Sequence, residues 1–277
     1  MTSTEQPFSR RVRLFVAYDG GPFSGFAINV GVRTIAGDLS AALERVLGHP
    51  VTLSVAGRTD KGVHASVQVC SFDVPVEFPL HRLNPARLAK SLNALCGPSI
   101  SVREVSLVGS DFDARFSATW RRYHYTVWND RAPNPHLAAY SWHVPDPLLL
   151  AAMNQAALPL LGQHDFSSFC RRPPATAGRP PYSLVRNVRS AEWTDLGDGR
   201  LRFEIEASAF CHQMVRSITA LLVDVGRGRR RAVEVTGVLA AKDRARSTVV
   251  APPHGLCLVG VGYPTDVSLR LPARRPS

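Results

Sequence analysis

Lysine is almost missing from this chain: Lys61, Lys90 and Lys242 are the only three in 277 residues. The shortage does not make the protein neutral, because arginine dominates the 33 basic side chains and 22 acidic ones leave a formal charge of +11. Cysteine is sparse and scattered. Cys70, Cys96, Cys170, Cys211 and Cys257 are odd in number and contain no C-x-x-C pair, which argues against a disulfide framework or a cysteine zinc site and suits a reducing cytoplasm. No G-x-G-x-x-G follows the first apolar strand and no G-x-x-x-x-G-K-[ST] occurs, so nucleotide cofactors and a Rossmann methyltransferase lose their usual cradle. H-x-E with P-C-x-x-C is absent, against a zinc deaminase. G-x-S-x-G is absent too, and His64, His143, His164 and His212 fall at no metal-ligand spacing. The expectation is a protein with no cofactor and no metal. The opening MTSTEQPFSRRVR lacks a signal peptide's apolar centre. The most apolar run, Leu148–Leu161, is broken by Asn154, Gln155 and Pro159 and falls short of the ~20 residues a membrane span needs. A cytoplasmic protein with no membrane association is expected.

What is present describes a folded chain. Apolar residues at 45% and charged residues at 20% exclude wholesale disorder, and the length fits one large or two ordinary domains. A sequence pI near 10.1 points to a polyanionic partner. The charge is uneven: residues 1–110 carry 11 basic and 8 acidic side chains, net +3, and residues 111–277 carry 22 and 14, net +8.

Periodicity predicts an α+β fold. In RVRLFVAY (11–18), Val12, Leu14, Val16 and Tyr18 share one strand face. Thr34 caps a helix with Ile35, Leu39, Leu43 and Val46 at helical spacing and Gly48 as its stop. Strands follow at 51–56 and 66–72, a helix at 84–95 and a strand at 100–107, giving β-α-β-β-α-β, the ferredoxin-like order. The second half has a similar order, with strands at 117–128, 186–194, 200–208 and 257–263 and helices at 147–161, 211–226 and 232–241. The expectation is two ferredoxin-like lobes, 11–109 and 110–264, with a mainly antiparallel sheet and a central catalytic cleft. A flexible arm over 1–10 and a flexible tail over 265–277 flank them, and the Pro/Gly/Arg-rich segment 171–183 reads as a loop.

The most informative stretch is AGRTDKGVHA (56–65). It joins two apolar strands yet carries Arg58, Asp60, Lys61 and His64 between or beside Gly57 and Gly62. By composition alone it is a solvated turn. An aspartate among cations, however, stays ionised and serves as a nucleophile or base. A hydrolase triad from His164, Asp165 and Ser167 is the weaker rival, since near-adjacent residues rarely reach triad geometry.

GRTDKGVH resembles the active-site loop of pseudouridine synthases of the tRNA pseudouridine synthase A type. YDG (18–20), ARFSATWRRYHY (114–125), HDFSSF (164–169), FCHQMVRSI (210–218) and GLCLVGVGYP (255–264) follow in that family's order, so the resemblance runs from Arg11 to Pro264. It implies that Asp60 drives cleavage of the uridine glycosidic bond, by attack on the sugar or by proton abstraction, before the uracil rejoins through C5. Tyr123 matches the tyrosine that stacks on the target uracil and helps remove the C5 proton. Arg216 matches the arginine that pairs with the aspartate. Arg58 is a second partner or a phosphate contact, with Lys61 and His64 also substrate-binding candidates and His64 chiefly a residue that orders the loop. The resemblance further implies a homodimer acting on the 3′ side of the tRNA anticodon stem-loop.

The physical chemistry of this set is coherent. Flipping a uridine out of a stem costs a few kcal/mol, and an aromatic face returns ~1–3 kcal/mol per stacked base. An Arg–carboxylate pair keeps the aspartate anionic, and an isomerisation consumes no cofactor. Four positions depart from the family pattern. Phe26 and Ala27 replace Trp and Gln, Gln213 stands where His is common, and Lys61 where a small residue is usual. These departures leave the trio of Asp60, Tyr123 and Arg216 intact and bear on substrate choice, so one alternative is a synthase for another RNA or a small uridine nucleotide; the alternative from another class is a non-catalytic RNA-binding protein. The run RGRRR (227–231) is either a solvated loop or an RNA contact.

Overall fold

The computed structural model describes residues 9–79, 83–172 and 182–264. The expected N-terminal arm up to residue 8, most of the 171–183 segment and the tail from 265 lie outside the described residues. Two compact units form: Met1–Ala118 with Val259–Ser277, and Thr119–Leu258.

The first unit runs β1 (Ser9–Tyr18), α1 (Ile35–Leu47), β2 (Ser54–Val55), β3 (His64–Pro75), α2 (Pro85–Cys96) and β4 (Ile100–Val108). β1 is central, pairing antiparallel with β3 through Leu14↔Cys70 and with β4 through Leu14↔Val105. Its period-2 face is buried as the pattern requires, with Val12, Leu14, Val16 and Tyr18 inside. Thr34 Oγ1 accepts the Gly37 amide and Gly48 ends α1 in the left-handed region at φ 85°. Leu47 takes the buried place expected of Val46, which is only half-buried. β2 is far shorter than the expected 51–56, with only Ser54 and Val55 paired to β3.

The division between the units falls at 118/119, not at the expected 109/110. The cause is that 110–118 is tied to the first unit. Phe112 O accepts the Arg11 guanidinium at 2.6 Å, the Ala114 amide donates to Ser71 Oγ at 3.1 Å, and Tyr263 Oη donates to Ala114 O at 2.8 Å.

The second unit begins with β5 (Trp120–Trp128), β6 (Trp142–His143), α3 (Leu150–Ala157), β7 (Gly162–Asp165), β8 (Val185–Asp195) and β9 (Arg200–Ala207). It continues through α4 (Met214–Gly226) and α5 (Glu234–Ala241) into β10 (Leu256–Gly262), within which the division of the units falls. β5 pairs antiparallel with β9, β9 with β8 and β8 with β7, and the short β5–β6 pair is parallel. The architecture is mixed α+β with almost entirely antiparallel pairing. Residues 147–161 do not form one helix. Pro159 lacks the amide that would continue the turn, and the chain passes into a 3-10 turn at Leu158–Leu160. Asn154, a polar break in the apolar run, ties helix to sheet, because its side chain bonds both the amide and the carbonyl of Trp193 on β8. β6 and β7 are too short to leave a periodic signal.

The cysteines form no framework, but one pair is joined. Cys170 and Cys211 are joined as a disulfide, their Cα atoms 5.7 Å apart, while Cys70, Cys96 and Cys257 are free. An odd count never excluded one pair, and a separation of 41 residues hides from any spacing rule. Among the described residues no helix is long and apolar enough to cross a membrane.

Candidate active site

Asp60 lies in the turn between β2 and β3, in the first unit, partly exposed. Its carbonyl accepts the Val63 amide at 3.1 Å, closing the turn over Gly62 at φ 79°. The flanking backbone is fixed from three sides. Thr59 is buried, with Oγ1 2.8 Å from Tyr18 Oη and its carbonyl accepting the Phe26 amide at 3.1 Å. Gln68 Nε2 donates to Gly57 O at 2.6 Å and to Tyr18 Oη at 3.2 Å. The YDG segment packs on the far side, where a Cβ on Gly20 would fall 2.1 Å from Val63 O and leave no room for any side chain. A Cβ on Gly25, itself at φ 103°, would meet Thr59 O at 3.2 Å and Lys61 N at 3.3 Å.

The three cationic candidates on this loop separate cleanly. Arg58 and Lys61 are exposed. His64 is 6% exposed and its Nδ1 accepts the Gly20 amide at 3.1 Å, which makes it a strut between YDG and the loop.

Tyr123 and Arg216 belong to the second unit. Tyr123 sits mid-strand on β5 opposite Ile205, 6% exposed, its ring edge-on to Phe210 at 5.1 Å and 88°. The other tyrosine of RRYHY differs. Tyr125 is fully buried, donates to Pro252 O at 2.8 Å, and burial drives its phenol far above the ordinary range. Arg216 lies in the first turn of α4, its Nε donating to Ala251 O at 2.8 Å. A guanidinium there opposes the helix dipole, which favours cations at the other end.

The remaining candidates are occupied. His164 Nε2 contacts Leu161 O at 2.7 Å, while Asp165 Oδ1 accepts the Ser167 amide at 2.9 Å and its hydroxyl at 2.5 Å. The His164–Asp165–Ser167 run is thus a local turn and not a triad. In RGRRR, Arg227 and Arg229 both reach Asp146 and Arg231 reaches Glu234. Arg122 and Arg189 meet Glu206, so each of these five arginines has an acidic partner. Among the described residues no three His, Cys, Asp or Glu side chains are grouped to hold a metal ion.

Comparison with known proteins bears on the whole chain. It is 40% identical over 263 residues to the tRNA pseudouridine synthase A of Frankia casuarinae, covering 94% of this chain and 91% of that one. The chain belongs to the tRNA pseudouridine synthase A family. The protein of that name from Cereibacter sphaeroides is 41% identical over 258 residues, covering 92% and 97% of the two chains, and that from Synechococcus 36% over 261, covering 94% and 85%. A family profile described as tRNA pseudouridine synthase matches residues 156–264.

Seen as a tRNA pseudouridine synthase A sequence, the chain has its two groups of candidate residues on separate units, with Asp60, Arg58, Lys61 and His64 on the first and Tyr123 and Arg216 on the second. Sequence reasoning missed the residues that hold them. Tyr18, Gln68 and Gly20 brace the Asp60 loop, and Phe210 backs Tyr123. The glycine of FSGF (23–26) is the one local hint of a close approach, and nothing local links Phe210 to Tyr123, 87 positions earlier.

Proposed function

We propose that this chain isomerises uridine to pseudouridine in tRNA with Asp60 as the residue that initiates glycosidic cleavage. Membership of the tRNA pseudouridine synthase A family, at about 40% identity across nearly the full length, carries the reading. The chain is an isomerase, and the first unit's architecture supports the role given to Asp60. A carboxylate on a loop with a fixed backbone keeps one direction of approach, which is the electrostatic and entropic requirement for attack at a sugar carbon or removal of its proton.

The finer parts of the reading are proposals of the same standing. The substrate is the anticodon stem-loop on its 3′ side. Tyr123 stacks on the flipped uracil, supported by the edge-on packing of Phe210, which keeps the ring from yielding. Arg216 pairs with the aspartate, and its position against the α4 dipole supports a role outside the helix. Arg58 and Lys61, exposed beside Asp60, take RNA phosphates. His64 orders the loop. The two units are elaborations of one ferredoxin-like plan meeting at a catalytic cleft, the enzyme works in the cytoplasm, and a homodimer holds one tRNA across both subunits.

Purified protein is to be incubated with unmodified tRNA labelled with tritium at uridine C5, and the pseudouridines mapped. Release of label with pseudouridine confined to the 3′ side of the anticodon stem-loop is expected. Release with sites elsewhere overturns the substrate assignment, and absence of release from every RNA tried leaves the non-catalytic RNA-binding alternative.

A further inference from the structure

Two cysteines with no part in the proposed chemistry are joined next to Phe210, the ring that meets the residue assigned to stacking. Cys170 ends HDFSSFC and Cys211 begins CHQMVR, both in the second unit and bonded to each other across 41 residues. Each belongs to a stretch with little regular structure: Ser167–Phe169 is one 3-10 turn, and residues 208–213 are neither helix nor strand. The Arg171 amide donates to His212 O at 3.0 Å and runs beside the cross-link. Residue 210, next to Cys211, is the phenylalanine that meets Tyr123 edge-on at 5.1 Å. Two residues after Cys211, Gln213 enters α4 through the left-handed region at φ 67°, a conformation a non-glycine residue keeps only when its surroundings impose it. Arg216 follows within one turn.

We propose that Cys170 and Cys211 are positioning residues whose disulfide holds Phe210 against Tyr123 and fixes the entry to α4, so that the oxidation state of the pair sets how well the enzyme engages its RNA. The positioning role rests on the reading of Tyr123 as the stacking residue; formation of the cross-link does not. The oxidant is a small disulfide of the glutathione class. Cys211, 7% exposed against 1% for Cys170, is the sulfur reached first. Its thiolate attacks one sulfur of the oxidant, forming a mixed disulfide and releasing one thiolate. The Cys170 thiolate then attacks the Cys211 sulfur and releases the second. Two protein thiols lose two protons and two electrons, and one small disulfide becomes two small thiols. Cys70 and Cys96 are poor competitors: burial pushes the Cys70 thiol up to about 12, and the Cys96 thiol is also raised by burial; Cys257, half-buried, is the competitor that peptide mapping distinguishes.

The test uses the full chain, equilibrated with dithiothreitol or with oxidised glutathione and then freed of reagent. Thiol counting under denaturing conditions is expected to find all five cysteines after reduction and the three others after oxidation, with peptide mapping assigning the lost pair to Cys170 and Cys211. Cys211→Ser is expected to show four thiols in both states. Amide exchange across 208–217 is expected to be roughly threefold faster in the reduced protein, with the β3 segment of the first unit unchanged. KM for tRNA is expected to rise roughly threefold on reduction with kcat nearly constant, and to be insensitive to redox state in Cys211→Ser. Five thiols in both states, or a different pair, overturns the proposal. So does a disulfide whose reduction changes neither exchange nor KM, since that bond would be only a staple. If both states lack tritium release while thiol count and exchange shift as described, the cross-link is upheld and the pseudouridine reading fails.

Discussion

In the first unit Asp60 is carried by a loop, and everything that fixes it is polar or backbone: amide to carbonyl, Tyr18 to Thr59, Gln68 to Gly57, and glycines where no side chain fits. In the second unit Tyr123 and Arg216 stand on a strand and a helix, and their surroundings are aromatic packing, a buried helix and one covalent link. Each strategy matches the chemistry it supports. A carboxylate that reacts in one direction needs a path with no slack, which hydrogen bonds of fixed geometry supply. A ring that receives a flat base needs a stiff wall behind it, which close packing supplies. The first arrangement fails when a backbone path is blocked, the second when volume or a cross-link is lost.

That contrast can be broken at named positions. The largest effect is expected for Gly20→Ala, whose Cβ would lie 2.1 Å from Val63 O with only backbone to give way. A loss of about 3 kcal/mol by chemical denaturation is expected, together with loss of turnover. Gly31→Ala is its control. There φ is 80° but nothing lies within 4 Å, so only the left-handed penalty of about 1 kcal/mol applies.

The two tyrosines of β5 sharpen the comparison inside the second unit. Tyr125→Phe leaves the Pro252 carbonyl without its donor, so a stability loss of about 1–2 kcal/mol is expected with turnover little changed. Tyr123→Phe is expected to keep RNA binding while turnover falls. Equal turnover would remove the hydroxyl from the mechanism.

The smallest effect is a pH dependence. Asp165 is held below the usual carboxylate range chiefly by the Ser167 hydroxyl, with the Ser167 amide adding and burial opposing. A carboxylate depressed in the folded state adds stability above its unfolded value and loses it as pH falls through its folded value. The wild type should therefore lose slightly more stability between neutral pH and strong acid than Asp165→Asn, in paired acid melts. Parallel curves would contradict the assignment.

How much of this was legible beforehand follows the same division. β1, α1 with its Thr34 and Gly48 caps, α2 and β4 are written in local periodicity and capping residues, and the Asp60 loop is a contiguous motif. What could not be read depends on distant partners. β2 shortens because only Ser54 and Val55 reach β3. Residues 110–118 join the first unit through Arg11, Ser71 and Tyr263. Phe210 meets Tyr123 only after β5 and β9 pair, and the Cys170–Cys211 bond arises the same way. Net charge gave the excess but not its neighbours: residues 111–277 carry +8 overall, and within them Glu206, Asp146 and Glu234 each pair with arginines. The family motifs identified the chemistry, and the tertiary contacts reveal how that chemistry is held.

The role of Asp60 is the claim on which the mechanism depends. Asp60→Ala removes the carboxylate without adding bulk to a partly exposed turn, so thermal stability is expected to stay near wild type. Tritium release from C5-labelled uridine in tRNA, measured in a single turnover with enzyme in excess, is expected to fall by at least about a thousandfold while tRNA binding persists. Release at the wild-type rate from that folded variant would contradict the account.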